Sequence, residues 1–306
     1  SDGDSTETVT EKFTFTYKEC AHENGYSDGK CTNCGALCDH SNIDIDTGKC
    51  NECAHQFVAT ISTDGNAPTG YDTLADCLDS ITADTGNYVK IYQDIGDATA
   101  TTDTVINVNH NVMIDLNGHK LNNIKLEVNK DVKLALTGTE GSYVDQVYVR
   151  KGGGSFIIDS EANVEFDTIF AEAGTRFTVS DGANVTVRYL AVKESLSNEG
   201  NATSVKLATG MKITEMLAYD LDNSSPLSEN IMLKNLLSDN QMLKYESSSK
   251  IINLYYGATR IIINSKTYGY GTITVVEHTD ADHKYSSGTG KCEECGKRFT
   301  TYEKLE

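Results

Sequence analysis

The stretch "FIIDSEANVEF", Phe156 to Phe166, returns twenty-one residues later as "FTVSDGANVTV", Phe177 to Val187. Upstream, "NVMIDL" from Asn111 and "DVKLAL" from Asp131 resemble each other at an offset of 20. A period near twenty with about three strand-sized segments per period is what a parallel β-helix requires, because each coil stacks on the next and buries a shared core. Antiparallel sandwiches rarely show register repeats of this kind. The surrounding sequence agrees: from about Tyr88 onward, "YVKIYQDI", "TVINV", "IKLEV" and "VYV" are short apolar alternations separated by polar turns, with no helical periodicity. The expected fold class is therefore mainly β, a right-handed parallel β-helix. About six coils at a spacing of ~4.8 Å make a rod of roughly 30 Å.

A solenoid needs its ends covered, because open strand edges template aggregation. In "YDTLADCLDSIT", Leu74, Cys77, Leu78 and Ile81 fall at i, i+3, i+4 and i+7. That stripe predicts a short capping helix near 72–82, with Asp72 or Thr73 as its N-cap and Cys77 as a buried structural thiol. After residue 203 the regularity breaks. "SSPLSENIMLKNLLSDNQ" predicts a second helix near 226–238, with Ser225 as cap, Pro226 in its first turn and Met232, Leu233, Leu236 and Leu237 facing inward. The strand candidates "KIINLYY", "RIIINS" and "GTITVV" follow.

The cysteines outside the rod are spaced as metal ligands. Cys20, His22, Cys31 and Cys34 read C-x-H-x8-C-x2-C, and Cys38, His40, Cys50 and Cys53 read C-x-H-x9-C-x2-C. Zinc takes four soft or borderline donors in a tetrahedron, and a C-x2-C turn aims two thiolates at one point. Gly35, after the second cysteine of one pair, suits the positive-φ position such a turn needs, whereas Ala54 departs from it. Disulfides would leave the recurring histidine unexplained, and a redox C-x2-C belongs at a helix start that this sequence lacks. Four protein ligands leave no open position, so these quartets are read as structural staples for segments too short to bury a core. A third module, "HTDADHKYSSGTGKCEEC", aligns His283 with His40 and Cys292 and Cys295 with Cys50 and Cys53, but has Ala281 where a cysteine belongs. His278, at the end of "GTITVVEH", is the expected fourth ligand, with Asp280 or Asp282 as alternatives. The cofactor expectation is two structural zinc ions and a possible third.

Composition narrows the functional classes. The 306-residue chain carries 26 Lys+Arg against 45 Asp+Glu, a net charge of −19, which repels phosphate backbones and anionic membranes. Nucleic acid is excluded as a partner on this ground, and no apolar run is long enough for membrane insertion. The N-terminus "SDGDSTETVTEK" has neither a basic nor an apolar region, so an export signal is expected to have been removed or never present.

The order of tandem "C-x-H … GKC-x-x-C" ribbons, "QFVATI", "YDTLADCLDSI", "YVKIYQDI", "IDLNGHKL", β-coils, "LKNLLSDNQMLKY" and a closing "GKCEECGK" is similar to the secreted or cell-wall-attached surface proteins of gut Firmicutes. That resemblance covers nearly the whole chain. It implies export to a Gram-positive surface, a fragment of a longer chain and an adhesin-like role. It identifies no ligand.

Two functional classes remain. The preferred one is a non-enzymatic secreted or cell-surface module without catalytic residues, a spacer and binding surface for a host protein or glycan. Its organisation would be tandem zinc-ribbon-like modules over 1–57, the parallel β-helix over 58–276 and a third module over 277–306. Sixteen of 24 aromatics are tyrosine, and Tyr255, Tyr256, Tyr268, Tyr270 and Tyr285 crowd the C-terminal third, which suits polar-tipped contact surfaces as well as ordinary strand packing. The alternative is a carbohydrate-active enzyme, a polysaccharide lyase or hydrolase. It would use a carboxylate row of Asp115, Asp159 and Asp181 with basic partners among Arg150, Lys151, Arg176 and Arg188. Against it, each of those aspartates sits where acidic residues are ordinary turn formers. Neither the ligand nor the oligomeric state is legible in the sequence.

Overall fold

The structure, a computed structural model, describes residues 25–27, 30–64, 66–194, 204–220, 241–247, 250–254, 262–263, 271–279, 283–288 and 292. Six coils follow one another among the described residues: the first is Asn87–Ile91 with Thr104–Val108, which lie parallel to Val112–Asp115 and Lys120–Val128, and each of the other five is made of a short and a long strand. The short strands Val112–Asp115, Lys133–Thr137, Ser155–Ile158, Arg176–Val179 and Ser204–Lys206 stack in parallel as one sheet. The long strands Lys120–Val128, Ser142–Val149, Asn163–Ala171, Asn184–Glu194 and Lys212–Asp220 stack in parallel as another. The protein is thus a parallel β-solenoid.

Each coil nevertheless has three sides, because the long strand turns a corner. In Ser142–Val149 the alternation places Ser142, Val144, Val147 and Val149 in the core and leaves two consecutive residues, Asp145 and Gln146, facing out between them. Strict alternation would need one outward residue there, so the extra one marks the bend.

Stacking brings equivalent residues of successive coils into contact. One buried column runs Val112, Leu134, Phe156, Phe177 and Val205. Within it the rings of Phe156 and Phe177 lie stacked, with centroids 5.5 Å apart. The turns between sides are tight. Gly182 adopts φ 99°, and a Cβ there would meet the carbonyl oxygen of Ser160 on the preceding coil at 3.1 Å.

The register corrects one expected offset. Phe156 lies beside Phe177 at the expected 21 residues, but Val112 lies beside Leu134, two positions beyond the Val132 that the 20-residue match suggested. A slip of two preserves which residues face inward, so the apolar pattern cannot distinguish the two registers.

At the N-terminal end, Ala59–Thr63 runs antiparallel to Asn87–Ile91, and Thr69–Tyr71 antiparallel to Ala59–Thr63. The helix Leu74–Asp79 lies in the predicted place and buries Leu74, Cys77 and Leu78. Thr73 is its cap, accepting from the Asp76 amide at 3.0 Å, and it frees Asp72 for a contact described below. Burial pushes the Cys77 thiol up to about 12, which keeps it a protonated core residue. At the other end, Gly271–Glu277 runs antiparallel to Lys212–Asp220, and Gln241–Ser247 runs antiparallel to Gly271–Glu277. Reversed strands at both ends break the parallel ladder. The predicted helix near 226–238 lies outside the described residues. Among the described residues no helix is long and apolar enough to cross a membrane.

Candidate metal centres

Three small hairpins share one design. Tyr26 pairs with Cys31, Ile43 with Cys50 and Tyr285 with Cys292, so the first cysteine of each C-x2-C sits on the returning strand. The chain then folds back at once: Gly35 N–H donates to the Cys31 carbonyl at 2.9 Å, and Ala54 N–H donates to the Cys50 carbonyl at 2.8 Å. Both turns need a left-handed residue. Gly35 supplies it at φ 72°, whereas Ala54 adopts φ 60° despite its Cβ, a conformation that costs about 1 kcal/mol.

The second hairpin brings Cys38, His40, Cys50 and Cys53 together, with all four ligand atoms within 4.8 Å of one another. Cys38 Sγ lies 3.6 Å from Cys50 Sγ, and Cys53 Sγ lies 3.3 Å from His40 Nδ1. Zinc bonds of about 2.3 Å to sulfur and 2.0–2.1 Å to imidazole put tetrahedral neighbours roughly 3.5–3.8 Å apart, so the donor set and its spacing fit zinc. The surroundings of the two thiols at the centre act on them in opposite senses. Burial pushes Cys38 up to about 12; burial acts on Cys50 in the same sense but is outweighed by the amides of Cys53 and Glu52 and by His40, which bring it down to about 7. A divalent ion held here would take both as thiolates. Glu52 Oε2 lies 3.8 Å from Cys38 Sγ, and Asp39 completes a further group with them. These exposed oxygens are harder donors than the thiols, so a sulfur-preferring ion would favour the group of Cys38, His40, Cys50 and Cys53.

Supporting residues that spacing did not reveal fix this hairpin to the rod. Phe57 meets the rings of His40 and His55 edge-on at 5.3 and 4.7 Å. Gly70 lets its backbone lie on the Phe57 ring, since a Cβ there would fall 2.4 Å from it. His55 Nε2 lies 2.7 Å from Asp72, and Tyr92 O–H donates to the Ile45 carbonyl at 2.7 Å.

Of the first predicted quartet, Cys31 is buried and Cys34 exposed, whereas Cys20 and His22 lie outside the described residues. In the third module the structure brings His278, His283 and Cys292 within 4.8 Å of one another. His278 follows the strand Gly271–Glu277 directly, is 4% exposed, and places Nε2 3.5 Å from Cys292 Sγ. Cys295, Asp280 and Asp282 lie outside the described residues, as do Tyr255, Tyr256, Tyr268 and Tyr270. Tyr285 pairs with Cys292 in the hairpin and packs on the small core of this module.

The carboxylate row that the carbohydrate-active alternative would use does not form. The register sets Asp115 beside Thr137 and, continued by one residue, Thr137 beside Asp159 and Asp159 beside Ser180, so Asp181 falls outside the column. Asp115 accepts from Tyr88 O–H at 2.7 Å and from the Asn117 amide at 2.8 Å, and Asp159 accepts from the Glu161 amide at 3.1 Å. These are turn and packing roles. Of the basic residues, Arg150 bonds Glu127 and Arg188 bonds Asp167. Comparison with protein-family models, curated proteins and solved structures finds no match to this chain.

Proposed function

We propose that this chain is a zinc-stapled β-solenoid module of a secreted or wall-attached bacterial surface protein, acting as a rigid spacer and as a binding surface for a host protein or glycan. The observation that carries this reading is the placement of Cys/His ligand clusters at both ends of one continuous parallel solenoid. Hairpins that metal would hold cover the ends of the rod, the least protected part of a repeat protein, without carrying its core. Zinc would supply folding energy at closed sites held by Cys38, His40, Cys50 and Cys53, and by His278, His283 and Cys292 with a further donor. The Firmicutes resemblance supports the surface location.

Two measurements test this. Native mass spectrometry is expected to find zinc in stoichiometric amounts, with one ion fewer in His278→Ala; a His278→Ala chain that keeps every ion at unchanged affinity overturns the third site. Incubation with immobilised mucin and with soluble plant and host polysaccharides is expected to give saturable binding without cleavage. Turnover that an Asp→Asn exchange abolishes would replace the binding reading by the carbohydrate-active one.

A further inference from the structure

A notch of about 340 Å³ opens on the outer surface of the rod, lined by Lys120, Asn122, Gly141, Tyr143 and Glu165. That volume is at the small end of the ligand-pocket range of roughly 300–1,000 Å³. Lys120, Tyr143 and Glu165 stand side by side on three consecutive coils. Next to them, at the corner of the long strands, Asp145, Asp167 and Arg188 occupy equivalent positions on their own three coils.

Two irregular features shape this corner. The first is an irregularity in Lys120–Val128 between Leu121 and Lys125, with Asn123 at φ 50°. The Asn122 amide donates to the Ile95 carbonyl at 2.8 Å and the Asn123 side chain to the Asp97 carbonyl, which pins the bulge and sets Asn122 in the wall of the notch. Bulges and left-handed non-glycine residues cost stability and recur beside binding sites. The second is the juxtaposition of Asp145 and Asp167, because like charges opposite one another weaken a sheet. Arg188 takes both oxygens of Asp167, one of them at 2.8 Å. Asp145 accepts from Tyr143 O–H at 2.9 Å, and burial, then the charges of Asp167 and Asp103, push its carboxyl above the ordinary range against that bond.

We propose that the notch binds one ring of a neutral hexose-type glycan. Vicinal hydroxyls of such a ring donate to Glu165 and exchange bonds with Asn122, Lys120 donates to a ring or hydroxyl oxygen, and Tyr143 offers an amphipathic wall. Charge selects the class: Lys120 and Arg188 stand against Glu165, Asp145 and Asp167, with Asp103 and Glu215 close by. A uronate or sulfated sugar would meet net repulsion. The proposal rests on the binding-surface reading and names its site.

The test is a titration of the ¹⁵N-labelled chain with methyl β-D-galactoside, methyl β-D-glucoside and sodium D-glucuronate, followed by amide shifts. Expected is saturable binding of at least one neutral glycoside, with a dissociation constant on the order of 1–10 mM for so small a ligand. Shifts should centre on Gly141, Tyr143, Asp145 and Glu165, glucuronate should bind more weakly, and Glu165→Gln should lose about fivefold to tenfold in affinity with its melting temperature unchanged. No saturable shift at these amides with either glycoside, or tighter binding of glucuronate, overturns the proposal. Shifts that saturate at a different patch sink the notch but keep the binding module; no binding of the glycosides together with no binding of immobilised mucin removes both.

Discussion

The rod and the second metal hairpin are held together in opposite ways. In the rod, each inward side chain touches its counterparts on the coils above and below, and one apolar cluster runs unbroken from Ala59 to Val275. In the hairpin the buried cluster is Cys38, Cys50 and Phe57, and most of the other side chains between Asp39 and Gln56 remain in water. Seventeen-odd residues of polar chain cannot bury enough apolar surface to offset their conformational entropy, roughly 1–2 kcal/mol per residue for the backbone alone. The same polar, acidic chain therefore uses carbon burial where it can stack and metal ligation where it cannot. Two stabilising devices that share few groups should fail separately.

The largest effect expected is from metal removal. Structural zinc contributes on the order of 10–16 kcal/mol in zinc-finger peptides, all of it folding energy. Chelation, or Cys50→Ser, should collapse the amide dispersion of residues 38–57 while the β signal of the rod in circular dichroism persists. Simultaneous loss of the rod would show that the two regions form one cooperative unit.

Phe177→Ala is the converse test. It opens a hole in the stacked column and should cost the rod about 3–5 kcal/mol, read as an earlier thermal transition with the zinc count unchanged. Loss of zinc in this variant would break the comparison from the other side.

Acid should also separate the two regions. Zinc leaves as protons compete for thiolate and imidazole, so the hairpin should release metal as the pH falls below neutral. The rod has buried Glu127, whose carboxyl burial would raise but which the Arg150 and Lys125 partners hold below its ordinary range. A group depressed in the folded state contributes stability that is present above its unfolded value, about 4.3, and is lost as pH falls through the folded value. The melting temperature of the rod should therefore hold down to about pH 5 and decline below about 4. Glu127→Gln should flatten that decline.

The smallest effect concerns Ala54. Gly35 occupies the equivalent turn of the first hairpin without strain, so Ala54→Gly should relieve about 1 kcal/mol and tighten zinc about fivefold in a competition assay. No change would mean that the two turns are held differently.

Much of this molecule is legible in the sequence where one residue type answers one physical demand. The recurrence of Phe156 at Phe177 and the i, i+3, i+4, i+7 stripe through Leu74 each mark a buried face, and both elements occur where expected. His40, Cys50 and Cys53 are legible because spacing along a short turn nearly dictates spacing in space. The supporting contacts were not: Phe57 against Gly70, Tyr92 to Ile45 and His55 to Asp72 join segments far apart in sequence, and nothing local distinguishes those residues from others of their type.

Period, alternation and ligand spacing determined on their own that the chain is a β-solenoid with metal-ligand hairpins, because each is a local pattern that survives small errors of register. Only the tertiary structure decided which coil positions meet. It set Val112 beside Leu134 and dispersed Asp115, Asp159 and Asp181, while gathering Tyr143, Asp145, Asp167 and Arg188 at one corner. The physical reason is that a slip of two residues keeps every apolar side chain in the core yet changes every outward neighbour, so burial is encoded by pattern and surface sites by exact stacking.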